Sequence, residues 1–257
     1  MSWWQAIFLS IIQGLTEFLP ISSSGHLVIF QKIFGLQSMA IFDIFIHVGT
    51  LLAIIFFFRK ELLKILKGLF KKEKDSWQIF WLIVIGTIPA VIIGLLLEKN
   101  INRIFDSLKL VGVSLLITGF LLLMTIFLKG KNNKNFKSMK WSDGLVVGFF
   151  QALAILPGFS RTGATLFGSL LRKADRQTAF QFSLFLAIPA IIGAAVLQIP
   201  DILDNRFNFL NQSLLGMIIA FFVGYFALKI LKKILLSSRL WIFGIYCFLI
   251  GFLLLFF

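Results

Sequence analysis

Residues 13–27 read QGLTEFLPISSSGHL, and the polar run EFLPISSSGH at 17–26 within them breaks an otherwise apolar stretch, residues 3–34. A second apolar stretch, residues 143–171, is interrupted in the same way by LPGFSRTGAT at 156–165. The helical pieces that flank each break are too short to cross the ~30 Å hydrocarbon core of a bilayer. Irregular backbone at membrane depth is stable only where protein buries it or a watery cavity solvates it. Both stretches are therefore predicted to be re-entrant hairpins.

The composition of the chain is that of a membrane protein. Of its 257 residues, 59% are hydrophobic and 14% are charged, and the mean hydropathy is +0.96. A water-soluble enzyme with this composition would expose large apolar patches, which excludes that class. Cys247 is the lone cysteine, so no intramolecular disulfide can form and zinc or iron–sulfur chemistry lacks its usual ligands.

Six other stretches are apolar over the roughly 20 residues that a membrane-spanning helix needs. They are residues 39–58, 78–97, 108–128, 178–199, 212–231 and 240–257. With six crossings and two hairpins, most of the 25 Lys and Arg residues fall on one face, as expected for the cytoplasmic side. Both termini are then outside. This distribution explains the net charge of +14 without nucleic-acid binding.

The two halves of the chain repeat each other. Gln13 and Gln151 are 138 residues apart, and Ser23 precedes Ser160 by 137. Each half has one hairpin and three spans, and an odd number of crossings inverts the second half, so that the polar tips meet near the midplane. The predicted fold is an all-α polytopic membrane protein, a single domain over residues 1–257. Its predicted parts are repeat one (1–128), a cytoplasmic basic linker (129–140) and repeat two (141–257).

Glu17 is the only carboxylate in the first hairpin, and an ionisable residue at membrane depth indicates a functional site. Gln13 lies one helical turn earlier, so both side chains project from one face. Their oxygens could hold a hard cation, Mg²⁺ or another divalent ion such as Ca²⁺. The alternative is that Glu17 hydrogen-bonds the loop that it precedes.

A serine run follows the first break. If a helix restarts near Ser23, its free N–H groups favour an anion, and the hydroxyls of Ser22 and Ser24 add donors. His26 is three residues after Ser23, within reach of a nucleophile–base pair. Alternatively, Ser22 only caps the helix and His26 hydrogen-bonds a carbonyl.

Arg161 is the basic residue placed inside the second break. Its planar fork matches the oxygens of a phosphate. Neighbouring groups can complete an anion-binding cradle: Gly158, Ser160, Thr162 and Thr165. The alternative is that Arg161 pairs with Glu17 for folding alone. Together the two tips predict a site for a phosphorylated, membrane-resident substrate, because phosphoryl transfer needs mainly positioning and charge neutralisation.

Other polar residues have weaker assignments. His47 lies in a span with Asp43 four residues earlier, and it either supports the site or makes an ordinary interhelical hydrogen bond. The lysines of the loop predicted at 59–76 are interpreted as orientation signals and contacts to anionic membrane lipids. They include Lys64, Lys67, Lys71 and Lys72.

The chain resembles the undecaprenyl-diphosphate phosphatases, the bacitracin-resistance proteins. The two motifs QGLTEFLPISSSGHL at 13–27 and LPGFSRTGAT at 156–165 carry the resemblance, and FDIFIHVGTLLA at 42–53 supports it. The resemblance implies hydrolysis of undecaprenyl diphosphate to the monophosphate and phosphate, which recycles the lipid carrier of peptidoglycan synthesis. It also implies a site that opens toward the outer side of the bacterial plasma membrane.

The resemblance further implies roles for individual residues. Gln13 and Glu17 match the family's metal-binding element, with one acid where two are usual. Ser23 would attack the terminal phosphorus or position the attacking water, with His26 as base. Arg161, with Ser160 and Thr165, would bind the phosphoryl oxygens.

Two alternative functions are weighed against this one. Lipid phosphatases of the PAP2 type need a second histidine after the arginine, and no histidine follows His47. A polyprenyl-phosphate flippase or transporter could use the same inverted-repeat site. The sequence does not predict the oligomeric state.

Overall fold

The computed structural model of the protein describes residues 1–36, 39–97, 107–128, 133–197 and 209–256. Within these ranges the chain forms eleven α-helices and no β-strand, apart from an isolated bridge between Lys134 and Ala174. The helices are α1 (Trp3–Thr16), α2 (Ser23–Ile33), α3 (Ala40–Phe57), α4 (Arg59–Phe70), α5 (Lys74–Leu97), α6 (Leu108–Met124), α7 (Trp141–Leu153), α8 (Arg161–Leu171), α9 (Arg176–Leu197), α10 (Leu210–Leu236) and α11 (Trp241–Leu254). The all-α fold class is confirmed.

Each of the two interrupted stretches folds as a pair of helices around a short irregular segment. Residues 17–22 separate α1 from α2, and residues 154–160 separate α7 from α8. The two helices of each pair pack against each other. Pro20 and Pro157 lie in the irregular segments, where a proline removes no helical hydrogen bond. Both breaks coincide with the predicted polar runs, although the later part of each run is already helical.

Within the described ranges, three helices are long and apolar enough to cross a membrane, namely α5, α9 and α10. Helices α3 and α4 pass the same test only as a pair, and they are bent by 74°. Helices α6 and α11 are apolar but shorter, with 17 and 14 residues. All six predicted spans therefore contain a helix, and the length and composition of the helices support three or four crossings.

The loop predicted at 59–76 is wrong, because Arg59–Phe70 forms α4. The physical reason is that apolar residues lie between the lysines. Leu62 and Ile65 are partly buried against the main hydrophobic core, which stabilises a helix that its charges alone would not. Helix α4 is a sharply bent continuation of α3.

Helices from the two halves of the chain pack reciprocally. The first helix of each interrupted pair contacts the second long helix of the other half, so that α1 lies on α10 and α7 lies on α5. Helices α6 and α11 pack along each other through glycines. A Cβ atom on Gly112 would come within 2.9 Å of the Gly251 carbonyl oxygen. One on Gly119 would come equally close to the Gly244 carbonyl oxygen. Such close contact between small residues is typical of helices in membranes.

The described end of the predicted linker, residues 133–140, is fastened to the second interrupted pair by Asp143. This carboxylate is fully buried and forms ion pairs with Lys134 at 3.1 Å and with Arg172 at 2.7 Å. It also accepts a hydrogen bond from the Lys140 backbone N–H. Residues 129–132 lie outside the described part of the chain.

Candidate active site

Serine residues begin the second helix of each interrupted pair. Ser22 caps α2 by accepting a hydrogen bond from the Gly25 N–H at 3.2 Å, and its own backbone has a φ of 71°. Ser160 caps α8 in the same way, accepting from the Gly163 N–H at 3.1 Å. The serine equivalent to Ser160 is therefore Ser22, 138 residues earlier, and not Ser23. The same spacing separates Gln13 from Gln151.

The irregular segment of each interrupted pair contacts the start of the second helix of the other pair. A Cβ atom on Gly25 would lie 2.9 Å from the Cα of Gly158. Gly158 itself has a φ of +87°, which L side chains rarely adopt. Glycine suits this position because it allows this φ and because the two chains approach each other closely here. The Thr162 hydroxyl donates a hydrogen bond across the contact to the Glu17 carbonyl oxygen at 3.0 Å. The expectation that the two tips meet is confirmed.

The Glu17 carboxylate lies at this junction and is almost fully buried. Its Oε1 forms an ion pair with Arg161. Its Oε2 accepts hydrogen bonds from the Ser23 hydroxyl at 2.5 Å and from the Gln13 amide at 3.0 Å. The Nε2 atom of His47 is 3.8 Å from the same oxygen. Four helices, α1, α2, α3 and α8, thus place a polar side chain around one carboxylate.

Ser23 and Arg161 occupy the same position in their helices, the first residue after the capping serine. The first residues of α2 and α8 therefore both lie beside the Glu17 carboxylate. Free N–H groups and partial positive charge at a helix start favour an anion. Arg161 also donates to the Ala187 carbonyl oxygen at 3.3 Å and keeps 17% of its side chain exposed. The junction is electrostatically suited to bind negative charge.

His26 is not hydrogen-bonded to Ser23 within this arrangement. Its Nδ1 lies 2.7 Å from the Ser22 carbonyl oxygen, and its Nε2 lies 2.7 Å from the Tyr246 hydroxyl. The Tyr246 and His26 rings are also stacked. The alternative reading, in which Ser22 caps the helix and His26 bonds a carbonyl, describes what the structure contains. Tyr246 was missed because no spacing rule links residues 220 positions apart.

His47 is oriented toward the site by its own helix. Its Nδ1 lies 2.7 Å from the Asp43 carbonyl oxygen, so Nε2 is left to face Glu17. The Asp43 carboxylate is bound instead by the Gln31 amide, at 2.8 and 3.1 Å. His47 thus belongs to the surroundings of Glu17.

Most of the remaining candidate residues hold the second break together. The Ser160 N–H donates to the Thr118 hydroxyl at 3.0 Å. The Thr165 hydroxyl is 2.6 Å from that of Ser183 and donates to the Arg161 carbonyl oxygen. Ser24 is half-buried, with its hydroxyl 3.3 Å from that of Ser22 and not hydrogen-bonded to Glu17. The side chains that converge on Glu17 are thus Gln13, Ser23, His47 and Arg161.

The oxygens at this junction fit a divalent cation that takes most of its ligands from elsewhere. Gln13 Oε1 is buried and has no hydrogen-bond partner. The Glu17 carboxylate is one turn along the same face. Among the described residues there is no group of three or more His, Cys, Asp or Glu side chains that could hold a metal. Mg²⁺ commonly binds through one or two protein oxygens together with water and substrate phosphates, which matches this donor set.

These features define an all-helical, multi-pass membrane protein with an ionic site at the junction of two interrupted helical segments. The family model described as "Bacitracin resistance protein BacA" matches residues 6–253. The chain belongs to this family.

Curated relatives cover nearly the whole chain. An undecaprenyl-diphosphatase of Thermosipho melanesiensis is 45% identical over 246 residues, 95% of each chain. An undecaprenyl-diphosphatase of Halothermothrix orenii is 43% identical, over 98% of this chain and 96% of its own length. A protein of the same name from Methanococcus maripaludis is 39% identical, over 96% of this chain and 97% of its own length.

Proposed function

We propose that this protein hydrolyses undecaprenyl diphosphate to undecaprenyl phosphate and inorganic phosphate. This reaction returns the lipid carrier to peptidoglycan synthesis and gives bacitracin resistance. The observation that carries the proposal is the Glu17 carboxylate, which is bound by a serine hydroxyl and an arginine from two different helix starts. Family membership and the names of the relatives support it independently.

Substrate binding begins with an exchange of partners at Arg161. Its guanidinium leaves the Glu17 carboxylate and takes the oxygens of the terminal phosphate, for which its planar fork is suited. The free N–H groups at the starts of α2 and α8 stabilise the remaining negative charge. The prenyl chain stays in lipid between the helices, so that only the diphosphate enters the junction.

Ser23 is the proposed nucleophile. Its Oγ already donates a hydrogen bond to Glu17 Oε2, so the carboxylate can accept the proton as Oγ attacks the terminal phosphorus. The bond from that phosphorus to the bridging oxygen breaks, and undecaprenyl phosphate leaves. Water then hydrolyses the phosphoserine and restores the serine hydroxyl. Glu17 therefore takes the role of base, and His26 positions the start of α2 against α11.

A divalent cation is part of the proposal. Mg²⁺, or Ca²⁺ in its place, would neutralise diphosphate charge when bound. Gln13 Oε1 and the Glu17 carboxylate would hold it. Glu17 is the single acid in this metal-binding element, so binding of the cation depends largely on the phosphates of the substrate.

The proposed location is the bacterial plasma membrane, with both termini and the opening of the site on the outer side. The clustering of Lys and Arg on one predicted face supports this orientation. The reciprocal packing of α1 with α10 and of α7 with α5 supports two repeats, and the odd number of predicted crossings per repeat makes them inverted.

Phosphate release by the purified protein in detergent tests the proposed function. We expect release from a polyprenyl diphosphate that depends on added Mg²⁺ or Ca²⁺ and is lost in Glu17→Gln. A flippase performs no net chemistry. Lipid movement in liposomes without phosphate release would therefore contradict the phosphatase function and support a transporter. Phosphoserine trapped in quenched turnover would establish covalent catalysis, and full turnover without a trapped phosphoserine would contradict the role of Ser23.

A further inference from the structure

A cavity of about 410 Å³ lies along α4, and its lining residues are not those of the Glu17 junction. Four of the lining residues are lysines: Lys60, Lys64, Lys67 and Lys71. Their positions, four, three and four residues apart, place them in one stripe along the helix. All four are exposed, and none forms an ion pair with another described residue. Glu73 also lines the cavity, so its four positive charges face one negative charge and a net positive charge remains.

The other two faces of α4 are apolar and differ in what they contact. Leu62 and Ile65 pack against the hydrophobic core. Leu63, Leu66 and Phe70 point outward, and Phe70 is 82% exposed. These outward residues border the lysine stripe on one side. An exposed apolar stripe beside a basic one is the pattern of a helix that lies in a membrane interface.

The position of α4 is fixed by its neighbours. The 74° bend after α3 turns the helix away from the direction of the preceding span. At its other end, Gly68 contacts the start of α5 so closely that a Cβ atom there would strike the Ser76 hydroxyl. The same Cβ would lie 2.7 Å from a carboxylate oxygen of Glu73. The lysine stripe is thus held on a packed element.

We propose that the α4 cavity binds an anionic phospholipid of the surrounding membrane. The lipid phosphate contacts the four lysines, because their ammonium groups outnumber the single carboxylate in the lining, Glu73, and form no ion pair with a described residue. The acyl chains lie along Leu63, Leu66 and Phe70, which extend the site toward lipid. Charge complementarity, and a border that only an amphipathic ligand would cover, favour a membrane lipid over a soluble phosphate.

Native mass spectrometry of the full-length protein in detergent, titrated with phosphatidylglycerol, tests the site. The variant K60Q/K64Q/K67Q removes three charges from the stripe, and K229Q/K232Q/K233Q removes three from the end of α10 as a matched control. We expect phosphatidylglycerol binding at least about tenfold weaker in the α4 variant and within about twofold of wild type in the control. Zwitterionic phosphatidylcholine should bind weakly to all three proteins.

A charge-conserving variant, K60R/K64R/K67R, separates a lost site from a failure to fold. It should retain phosphatidylglycerol binding. Equal losses in the two glutamine variants would overturn the proposal, because they would indicate a general effect of net charge. Displacement of the lipid by millimolar inorganic phosphate would also overturn it, because the cavity would then be a site for a soluble anion. None of these readouts depends on hydrolysis.

Discussion

Glu17 is the residue on which the site depends. A buried carboxylate is tolerated only when it is paired and hydrogen-bonded, and here each oxygen has a partner. The partners are also the groups that phosphoryl transfer requires: a cation for phosphate oxygens and a hydroxyl for attack. The ion pair of Glu17 with Arg161 is therefore both a folding contact and the resting state of the catalytic groups.

A comparison of variants at two adjacent serines, Ser23 and Ser24, separates a catalytic role of Ser23 from a general contribution of polar side chains near the break. Ser23 donates to Glu17, whereas the hydroxyl of Ser24 lies near that of Ser22. Ser23→Ala should lower kcat by roughly three orders of magnitude because the nucleophile is lost. Ser24→Ala should cost about tenfold or less, since it removes one donor at the helix start. Steady-state phosphate release measures both, and equal losses would contradict the assignment of Ser23.

His26 provides a second prediction. Both of its ring nitrogens are engaged, with Ser22 and with Tyr246, so it cannot accept the Ser23 proton in this geometry. His26→Gln and Tyr246→Phe should each lower kcat by about tenfold or less through a misplaced α2. The shape of the pH–rate profile should stay as in the wild type. Loss of a limb of that profile in His26→Gln would restore His26 as the base.

The sequence predicts which residues form the site better than it predicts their contacts. Glu17, Ser23 and Arg161 stand out because polar groups are costly at membrane depth. The pairing of Ser23 with His26 followed from a three-residue spacing. In the structure Ser23 is the first residue of α2 and reaches back across the break to Glu17. The positive φ of Ser22 sets this direction, and no spacing rule encodes it.

At the scale of elements, the packing of the second break against α6 depends on glycine at position 158. Ala at this position would need a φ near +87° and would place its Cβ 2.9 Å from Val111 Cα and against the Val111 carbonyl. Gly158→Ala should destabilise the protein by about 3 kcal/mol or more. Thermal unfolding in detergent measures this effect.

Gly193 in α9 is the matched control, because nothing lies within 4 Å of a Cβ built there. Gly193→Ala should leave the melting temperature unchanged or raise it, since alanine favours a helix by about 1 kcal/mol over glycine. A Gly158→Ala variant as stable as Gly193→Ala would show that the second break can shift away from Val111 without cost.

Helix α4 is an element that the sequence did not predict. The breaks at 17–22 and 154–160 were predictable because proline and polar residues interrupt apolar runs. The sequence predicts a loop over 59–76 because this stretch is rich in Lys and Arg and lies between two apolar stretches. The helix is specified instead by the spacing of Leu62 and Ile65, which pack on the core, and only the tertiary structure shows that this core surface is there to cover.

At the scale of the whole molecule, the proposed orientation makes a prediction about accessibility. Cys247 is fully buried, so a Cys247→Ser background removes the native thiol without changing the surface. Ser2→Cys and Lys137→Cys then place single thiols at the N-terminus and in the linker. A membrane-impermeant maleimide added to intact spheroplasts should label Ser2→Cys, and it should label Lys137→Cys only after permeabilisation. Positive residues cluster near position 137 and not near position 2, which is the bias that sets topology in plasma membranes. Labelling of both thiols from outside would place the N-terminus and the linker on one face and would require an even number of crossings in the first half, which contradicts the predicted three.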